Sequence, residues 1–144
     1  NDADAAGLAE MLFGVGQGEI GTVVLITIGS GLGSALFTNG HLVHNTEFGH
    51  FYMHGILAEH YASDSARKKH DLSWEEWGER FNEYLLHLER LVSPDLIILG
   101  GGTSKKFDNY KHLITTNTHV TPATYLNRAG AIGAAYYAYS VSDL

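Results

Sequence analysis

The sequence has 144 residues, and 44% of them are hydrophobic. It contains no cysteine and carries a formal net charge of −7. This length predicts one domain with a core of its own, while the absence of cysteine excludes disulfides and thiolate metal sites and fits a reducing, cytoplasmic setting. The negative charge argues against a general nucleic-acid surface, and no apolar run is long enough to predict a membrane span. The chain begins at Asn1 without a methionine, so we expect it to be a piece of a longer protein.

The first third of the sequence predicts a helix followed by antiparallel strands. The continuous apolar, β-branched run Thr22–Ile28 is typical of a strand buried on both faces, and Asn39-Gly40 is typical of a tight hairpin turn. In chain order, we predict a helix at 1–13 and strands at 22–28, 35–37 and 42–43.

The remainder predicts helices that flank one more buried strand. Ser73 and Glu76 have the spacing of a capping box, and the aromatic and aliphatic residues behind them recur at helical spacing, which predicts a core face. We predict a loop at 45–55, a helix at 56–69, a helix from Ser73 to the stop at Pro94, a strand at 96–99, a helix beginning at 104–107, an edge strand at 118–121 and a last helix at 124–139. This order indicates an α/β fold with ligands at the carboxyl ends of its strands.

Two glycine-rich segments follow buried strands, Gly29-Ser30-Gly31-Leu32-Gly33-Ser34 and Gly100-Gly101-Gly102. Glycine permits a positive φ and lets a ligand approach the backbone N–H groups closely, and successive N–H groups can curl into an anion-binding nest. One interpretation is a phosphate cradle that holds a polyanion from two sides. The other is a pair of ordinary glycine turns between core strands.

Polar side chains that suit proton transfer and sugar hydroxyls lie at a helix start and in the predicted loop. Asp2 would be charged at a helix N-terminus and could take a proton from a substrate hydroxyl, although a plain helix cap explains it equally well. Glu47, His50 and Glu59 could bind several sugar hydroxyls, or they could be solvated surface charges. A metal site is the least favoured interpretation, because three irregularly spaced histidines would have to form it without cysteine: His50, His54 and His60.

Four motifs occur in the order that is found in the ROK family of sugar kinases and repressors, and the chain resembles that family over almost its whole length. They are Asn-Asp-Ala-Asp at 1–4, Ile-Gly-Ser-Gly-Leu-Gly-Ser-Ala at 28–35, Asn-Thr-Glu-Phe-Gly-His at 45–50 and Leu-Gly-Gly-Gly at 99–102. The first motif and the segments at 71–77 and 100–106 resemble the polyphosphate-using glucokinases of the family in particular.

The resemblance implies an actin-like, ribonuclease-H-like ATPase fold, in which residues 1–144 form the large, carboxyl-terminal domain of a two-domain kinase. It also implies transfer of a phosphoryl group from polyphosphate, ATP or both to the 6-hydroxyl of glucose, with Mg²⁺ bridging the donor's phosphates, and a homodimer. Asp2 would be the catalytic base, and the sugar would be held by Asn1, Glu47, His50 and Glu59. The second phosphate motif and the adenosine-side motif would bind the donor, through Gly29, Ser30, Gly31, Gly33, Gly100, Gly101 and Gly102.

Basic residues that could attract a polyphosphate donor are few. Lys105 and Lys106 come just after the second glycine segment, at a predicted helix start, and they are the predicted polyphosphate track. The other basic cluster, Arg67-Lys68-Lys69, is better interpreted as a solvated helix end.

The sequence departs from the family in two places. No cysteine occurs at 51–59, where many members bind zinc, so no zinc is expected. The family's first phosphate motif, of the Asp-x-Gly-x-Thr type, is absent together with most of the small domain, so we expect the chain alone to be inactive. The alternatives are a sugar-sensing repressor of the same family, which needs no catalytic base, and a structural relative without activity.

Overall fold

The computed structural model of the chain describes residues 2–124, 133–134 and 140, and it confirms an α/β architecture. The strands are β1 (Thr22–Ile28), β2 (Leu32–Thr38), β3 (His41–Val43), β4 (Tyr52–Met53), β5 (Ile56–Leu57), β6 (Leu96–Gly100) and β7 (His119–Pro122). The α-helices are α1 (Asp2–Phe13), α2 (Ala58–Ala62), α3 (Asp64–Lys69) and α4 (Trp74–Val92). Two 3-10 segments, Gly102–Asn109 and Lys111–Leu113, connect β6 to β7.

Five of the strands form one mixed sheet in the order β3-β2-β1-β6-β7, while β4 and β5 form a separate two-stranded ribbon. The central strand β1 is antiparallel to β2 and parallel to β6. Because side chains alternate along a strand, Val24 and Ile26 pack into one core cluster with α4, whereas Val23 and Leu25 pack into a second cluster that α1 covers. The sheet is therefore covered by helices on both faces, as its continuous apolar central strands require.

Helix α4 begins and packs as its sequence predicts. The Ser73 hydroxyl accepts from the Glu76 N–H at 3.1 Å and the Glu76 carboxylate accepts from the Ser73 N–H at 3.0 Å, which completes the capping box. The Trp77 ring is fully buried and stacks on Phe81 at 4.9 Å, and it meets Tyr110 edge-on at 4.8 Å. The aromatic stripe of this helix is thus core, and it anchors the segment after β6 to the helix.

The predicted helix at 56–69 is wrong, and so is the unbroken loop at 45–55. His54 and Gly55 both adopt positive φ and make the turn between β4 and β5, so the helical segment begins only at Ala58. Ser63 then separates α2 from α3, because its backbone is extended and its hydroxyl accepts from the Ala66 N–H as the N-cap of α3. The consequence is a sharp bend, which places α3 beside the first glycine segment through a hydrogen bond from the Ser65 N–H to the Gly29 carbonyl at 3.3 Å.

Two smaller differences concern segment ends. β2 begins at Leu32, three residues earlier than predicted, because the β1–β2 register pairs Ile28 with Leu32 and leaves only 29–31 as the tip. The predicted helix start at 104–107 is a 3-10 segment that begins at Gly102. The predicted last helix, 124–139, lies outside the described residues apart from its start and from Gly133 and Ala134, which are helical.

No helix within the described part of the chain is both long and apolar enough to cross a membrane.

Candidate active site

The tip between β1 and β2 lacks the positive-φ glycines on which one of the two sequence interpretations, an anion-binding nest, would depend. Gly29 donates its N–H to the Gly31 carbonyl at 3.0 Å, and no glycine of the tip has a positive φ. At Gly31 and Gly33 the space for a side chain is limited instead. A β-carbon at Gly31 would collide with the Glu59 carboxylate, and one at Gly33 would collide with the Thr27 hydroxyl.

The second glycine segment lies directly against the first. Gly100 pairs with Thr27 in the parallel ladder of β1 and β6, and Gly101 has a φ of +83°. A β-carbon at Gly101 would collide with the backbone of Ile28, so only glycine fits both the conformation and the contact. The Ser104 hydroxyl holds this turn by donating to the Gly101 carbonyl at 2.6 Å. Both glycine-rich strand ends thus lie side by side and line one opening, whereas the predicted binding of a polyanion between them stays a prediction.

These two strand ends border an open cleft of about 350 Å³, which we call the glycine cleft. It is lined by residues 27–33, Glu47, Glu59, Gly101 and Gly102. The cleft therefore combines bare backbone at one side with two carboxylates at the other. Thr27, which the sequence analysis did not single out, also lines the cleft; its signal in the sequence was a polar residue near the end of a mainly apolar strand.

The acidic side of the glycine cleft brings together three predicted sugar ligands. His50 Nε2 lies 3.3 Å from a Glu59 oxygen and 3.7 Å from a Glu47 oxygen. Glu59 also accepts a hydrogen bond from the Leu32 N–H at 3.2 Å, so this side chain connects the acidic side to the first glycine segment. Glu47 and His50 are exposed, and Glu59 is partly buried.

Hydrogen bonds to the backbone of Phe48 hold the loop that carries Glu47 and His50 in place. The Tyr84 hydroxyl donates to the Phe48 carbonyl at 2.9 Å, and the Phe48 N–H donates to the Ser34 hydroxyl at 3.0 Å. Burial, followed by the charge of Glu59, raises the pKa of Tyr84 above its ordinary range, so its hydroxyl stays a donor. Buried partners therefore fix a loop that looks unstructured in the sequence.

Asp2 is exposed at the first turn of α1, and Asn1 lies outside the described residues. Two contacts locate this turn beside the glycine cleft. A β-carbon at Gly33 would lie 3.3 Å from that of Ala3, and the Asp4 carboxylate accepts from the Asn45 N–H at 3.3 Å. The predicted base is thus on a helix end that touches both the first glycine segment and the loop of sugar ligands.

A second opening, of about 230 Å³, continues from the glycine cleft and shares Ile28, Gly29 and Gly102 with it. We call it the Arg67 pocket; its other lining residues are Asp64, Arg67, Trp74, Thr103 and Lys106. The side chain of Arg67 is only 22% exposed, with Nε 3.0 Å from Asp64 Oδ1 and the guanidinium carbon 4.2 Å from the centre of the Trp74 ring. The interpretation of Arg67 as part of a solvated helix end is therefore wrong, because α3 bends back over the site.

The two neighbouring lysines of the predicted polyphosphate track point to different places. Lys106 lines the Arg67 pocket, whereas Lys105 lines a separate opening with Asp108 and Pro122. A donor-binding role for Lys105 stays a prediction. No group of three or more His, Asp or Glu side chains that could hold a metal comes together in the part of the chain that the structure describes; His54, for example, contacts Glu83 at 2.5 Å instead.

Known proteins that resemble the chain in sequence or fold include sugar kinases and a ROK family transcriptional regulator. No protein-family model matches the chain. Over 135 residues, which are 94% of this chain and 51% of the relative, it is 46% identical to a polyphosphate glucokinase of Mycobacterium tuberculosis. The crystal structure of an inorganic polyphosphate/ATP-glucomannokinase from Arthrobacter sp. strain KM matches with a TM-score of 0.93 and 47% identity, over 95% of this chain and 54% of that one. A ROK family glucokinase from Streptomyces griseus matches with a TM-score of 0.77 and 22% identity, over 95% of this chain and 66% of that one.

The chain spans about half the length of the curated relatives it matches. Almost all of the chain is covered by each match, and the actin-like ATPase fold that its motifs imply is confirmed by the superposed structures. The chain therefore belongs to the ROK family, together with the polyphosphate glucokinases and ROK sugar kinases that it matches in sequence and fold.

Proposed function

We propose that the chain forms one wall of the active site of a glucokinase, which transfers a phosphoryl group from polyphosphate, ATP or both to the 6-hydroxyl of glucose. The observation that carries this proposal is the glycine cleft itself. It has carboxylates and an imidazole on one side, which suit sugar hydroxyls, and two touching glycine segments on the other, where phosphates can approach the backbone closely. The names of the relatives at 46% and 47% identity support the same reaction.

In this proposal, each group of the cleft has one task. Glu47, His50 and Glu59, with Asn1, bind the hydroxyls of the ring and orient the 6-hydroxyl. The carboxylate of Asp2 takes the proton of that hydroxyl as its oxygen bonds to the terminal phosphorus of the donor. The bond from that phosphorus to the bridging oxygen breaks, and the shortened polyphosphate, or ADP, leaves with the negative charge. Most of the rate gain comes from holding the two substrates in line.

We propose that the divalent cation such reactions use is Mg²⁺. Within the described residues no three His, Asp or Glu side chains come together as a ligand set. This fits an Mg²⁺ ion that is held mainly through the substrate's phosphates, because Mg²⁺ keeps several waters and needs only one or two protein carboxylates. When bound, the ion would neutralise negative charge on the donor's phosphates.

We also propose that residues 1–144 are the large, carboxyl-terminal domain of the kinase, and that the first phosphate motif is supplied by the part of the relatives' length that the chain does not span. The homodimer that the family resemblance implies is part of this proposal. Measuring the mass of the intact protein in solution by light scattering tests it, since a monomer at the concentration of the activity assay would contradict the homodimer.

Glucose 6-phosphate formation by the intact protein tests the proposed reaction. A coupled assay with long-chain polyphosphate and with ATP, each with glucose and Mg²⁺, should give turnover with at least one donor. Binding of glucose without turnover by either donor would contradict the kinase and favour the sugar-sensing repressor. Turnover with ATP and none with polyphosphate of any chain length would leave an ordinary ATP-dependent glucokinase.

A further inference from the structure

We infer that the Arg67 pocket is a second anion subsite, which binds the phosphate groups of a polyphosphate donor that lie beyond the group being transferred. The inference rests on the proposed function, which puts the transferred group at the glycine cleft. The Arg67 pocket shares Ile28, Gly29 and Gly102 with that cleft, so a chain that passes Gly29 enters the pocket without leaving the protein surface.

The charges of the two openings differ in sign. Among the residues that the structure describes, the glycine cleft contains the carboxylates of Glu47 and Glu59 and no lysine or arginine, whereas the Arg67 pocket contains Arg67 and Lys106 and a single carboxylate, that of Asp64. In a chain of net charge −7, a local excess of positive charge beside the donor's path is what a polyanion requires. The sugar would therefore lie at the acidic end and the donor chain at the basic end.

The side chain of Arg67 is already fixed in an orientation that suits such a ligand. Its Nε–H is bonded to Asp64, which Lys68 Nζ also approaches at 3.2 Å, and its guanidinium lies on the Trp74 ring. No other described residue is hydrogen-bonded to its two terminal nitrogens, and these carry the paired donors that match phosphate oxygens. Since the side chain is already fixed, little rotamer freedom is lost when a phosphate binds.

The same contacts argue against a nucleobase as the occupant of this pocket. Trp74 is the aromatic ring on its wall, and that ring is engaged by the Arg67 guanidinium at 4.2 Å and stacked with Tyr110 at 6.1 Å. A base would have to displace the guanidinium in order to stack on it. A phosphate chain needs only the donors at the edge of the guanidinium, together with Lys106.

Charge-removing variants of the intact protein test the subsite. We would compare kcat/KM for long-chain polyphosphate, tripolyphosphate and ATP in wild type, Arg67→Gln, Lys106→Gln and Lys69→Gln. Lys69 is exposed at the end of the same helix and lines neither opening, so Lys69→Gln is the matched control. The loss of charge-assisted hydrogen bonds should lower kcat/KM for long-chain polyphosphate about tenfold or more in Arg67→Gln and several-fold in Lys106→Gln, with a smaller effect on tripolyphosphate, and Lys69→Gln should match wild type.

Salt dependence and a conservative variant separate a direct contact from a structural effect. The fall of kcat/KM for polyphosphate with added salt should be shallower in Arg67→Gln than in wild type, and Arg67→Lys should restore part of the activity with polyphosphate. If Arg67→Gln does not fold, Lys106→Gln carries the test, because Lys106 is exposed. If the two pocket variants and the Lys69→Gln control were equally active with polyphosphate, the subsite would be overturned. If the wild type failed to phosphorylate glucose with polyphosphate, tripolyphosphate and ATP alike, the proposed function would be overturned.

Discussion

Removing the Glu59 carboxylate should loosen the first glycine segment by an amount that the contacts allow us to estimate. One carboxylate oxygen accepts from the Leu32 N–H at 3.2 Å, and the other lies 3.3 Å from His50 Nε2. Leu32 is only 2% exposed, so Glu59→Ala leaves a buried donor without its acceptor, which costs about 1–3 kcal/mol. The ion pair with His50 is half exposed and adds about 1 kcal/mol or less. We expect Glu59→Ala to lower the free energy of unfolding by about 1–4 kcal/mol.

Glu59→Gln and Glu47→Gln are the matched controls for this estimate. The glutamine at 59 keeps an oxygen that can accept from the Leu32 N–H, so its loss should be about 1 kcal/mol or less. Glu47 is 60% exposed and lies 3.7 Å from His50, so Glu47→Gln should stay within about 0.5 kcal/mol of wild type. Urea unfolding with an unchanged m-value gives each difference. Equal losses in Glu59→Ala and Glu47→Gln would refute the reasoning, and so would equal losses in Glu59→Ala and Glu59→Gln.

Three further predictions concern the cap of α4, the stability of the fold at low pH and the activity of the 144-residue chain alone. Ser73→Ala removes the acceptor of the Glu76 N–H and should lower the free energy of unfolding by about 1 kcal/mol, as a urea midpoint would show; an unchanged midpoint would contradict it. Burial would raise the pKa of Asp64, but Arg67 and Lys68 outweigh it and lower that pKa below its ordinary value. Asp64 therefore stabilises the fold above its unfolded pKa of about 3.9, and this contribution is lost as pH falls through the lower folded value, so Asp64→Asn should flatten the acid side of a stability–pH curve. The 144-residue chain alone should form no glucose 6-phosphate in the coupled assay, because it lacks the Asp-x-Gly-x-Thr motif, and measurable turnover free of contaminating kinases would contradict this.

The parts of the fold that the sequence predicts well are those set by local pattern. The β-branched run of β1, the capping box at Ser73 and the aromatic spacing of α4 each depend on neighbours within a few residues, and all three are observed. The helix predicted at 56–69 failed because two weak local signals, the His54-Gly55 turn and the Ser63 cap, interrupt a stretch whose composition suits a helix.

The candidate site shows what local pattern cannot supply. Gly31 leaves room for the end of the Glu59 side chain, which lies 28 residues later in the sequence and would meet a β-carbon there, and nothing near Gly31 in the sequence predicts that contact. Arg67 likewise looks like one of three solvated cations until the bend at Ser63 and the turn at Asp71, which has a φ of +51°, bring it onto Trp74. Residue types at the site were therefore predictable, but their partners and directions depended on the tertiary fold.

The most direct test of the account is the effect of Asp2→Asn on turnover and on glucose binding in the intact protein. The amide keeps the size of the side chain but cannot take the proton of the 6-hydroxyl. We predict that kcat falls about a hundredfold or more, while the dissociation constant of glucose, measured by isothermal titration, changes little. A variant with near-normal kcat would contradict the role of Asp2 as the base, and with it the assignment of this cleft as the place where the phosphoryl group is transferred.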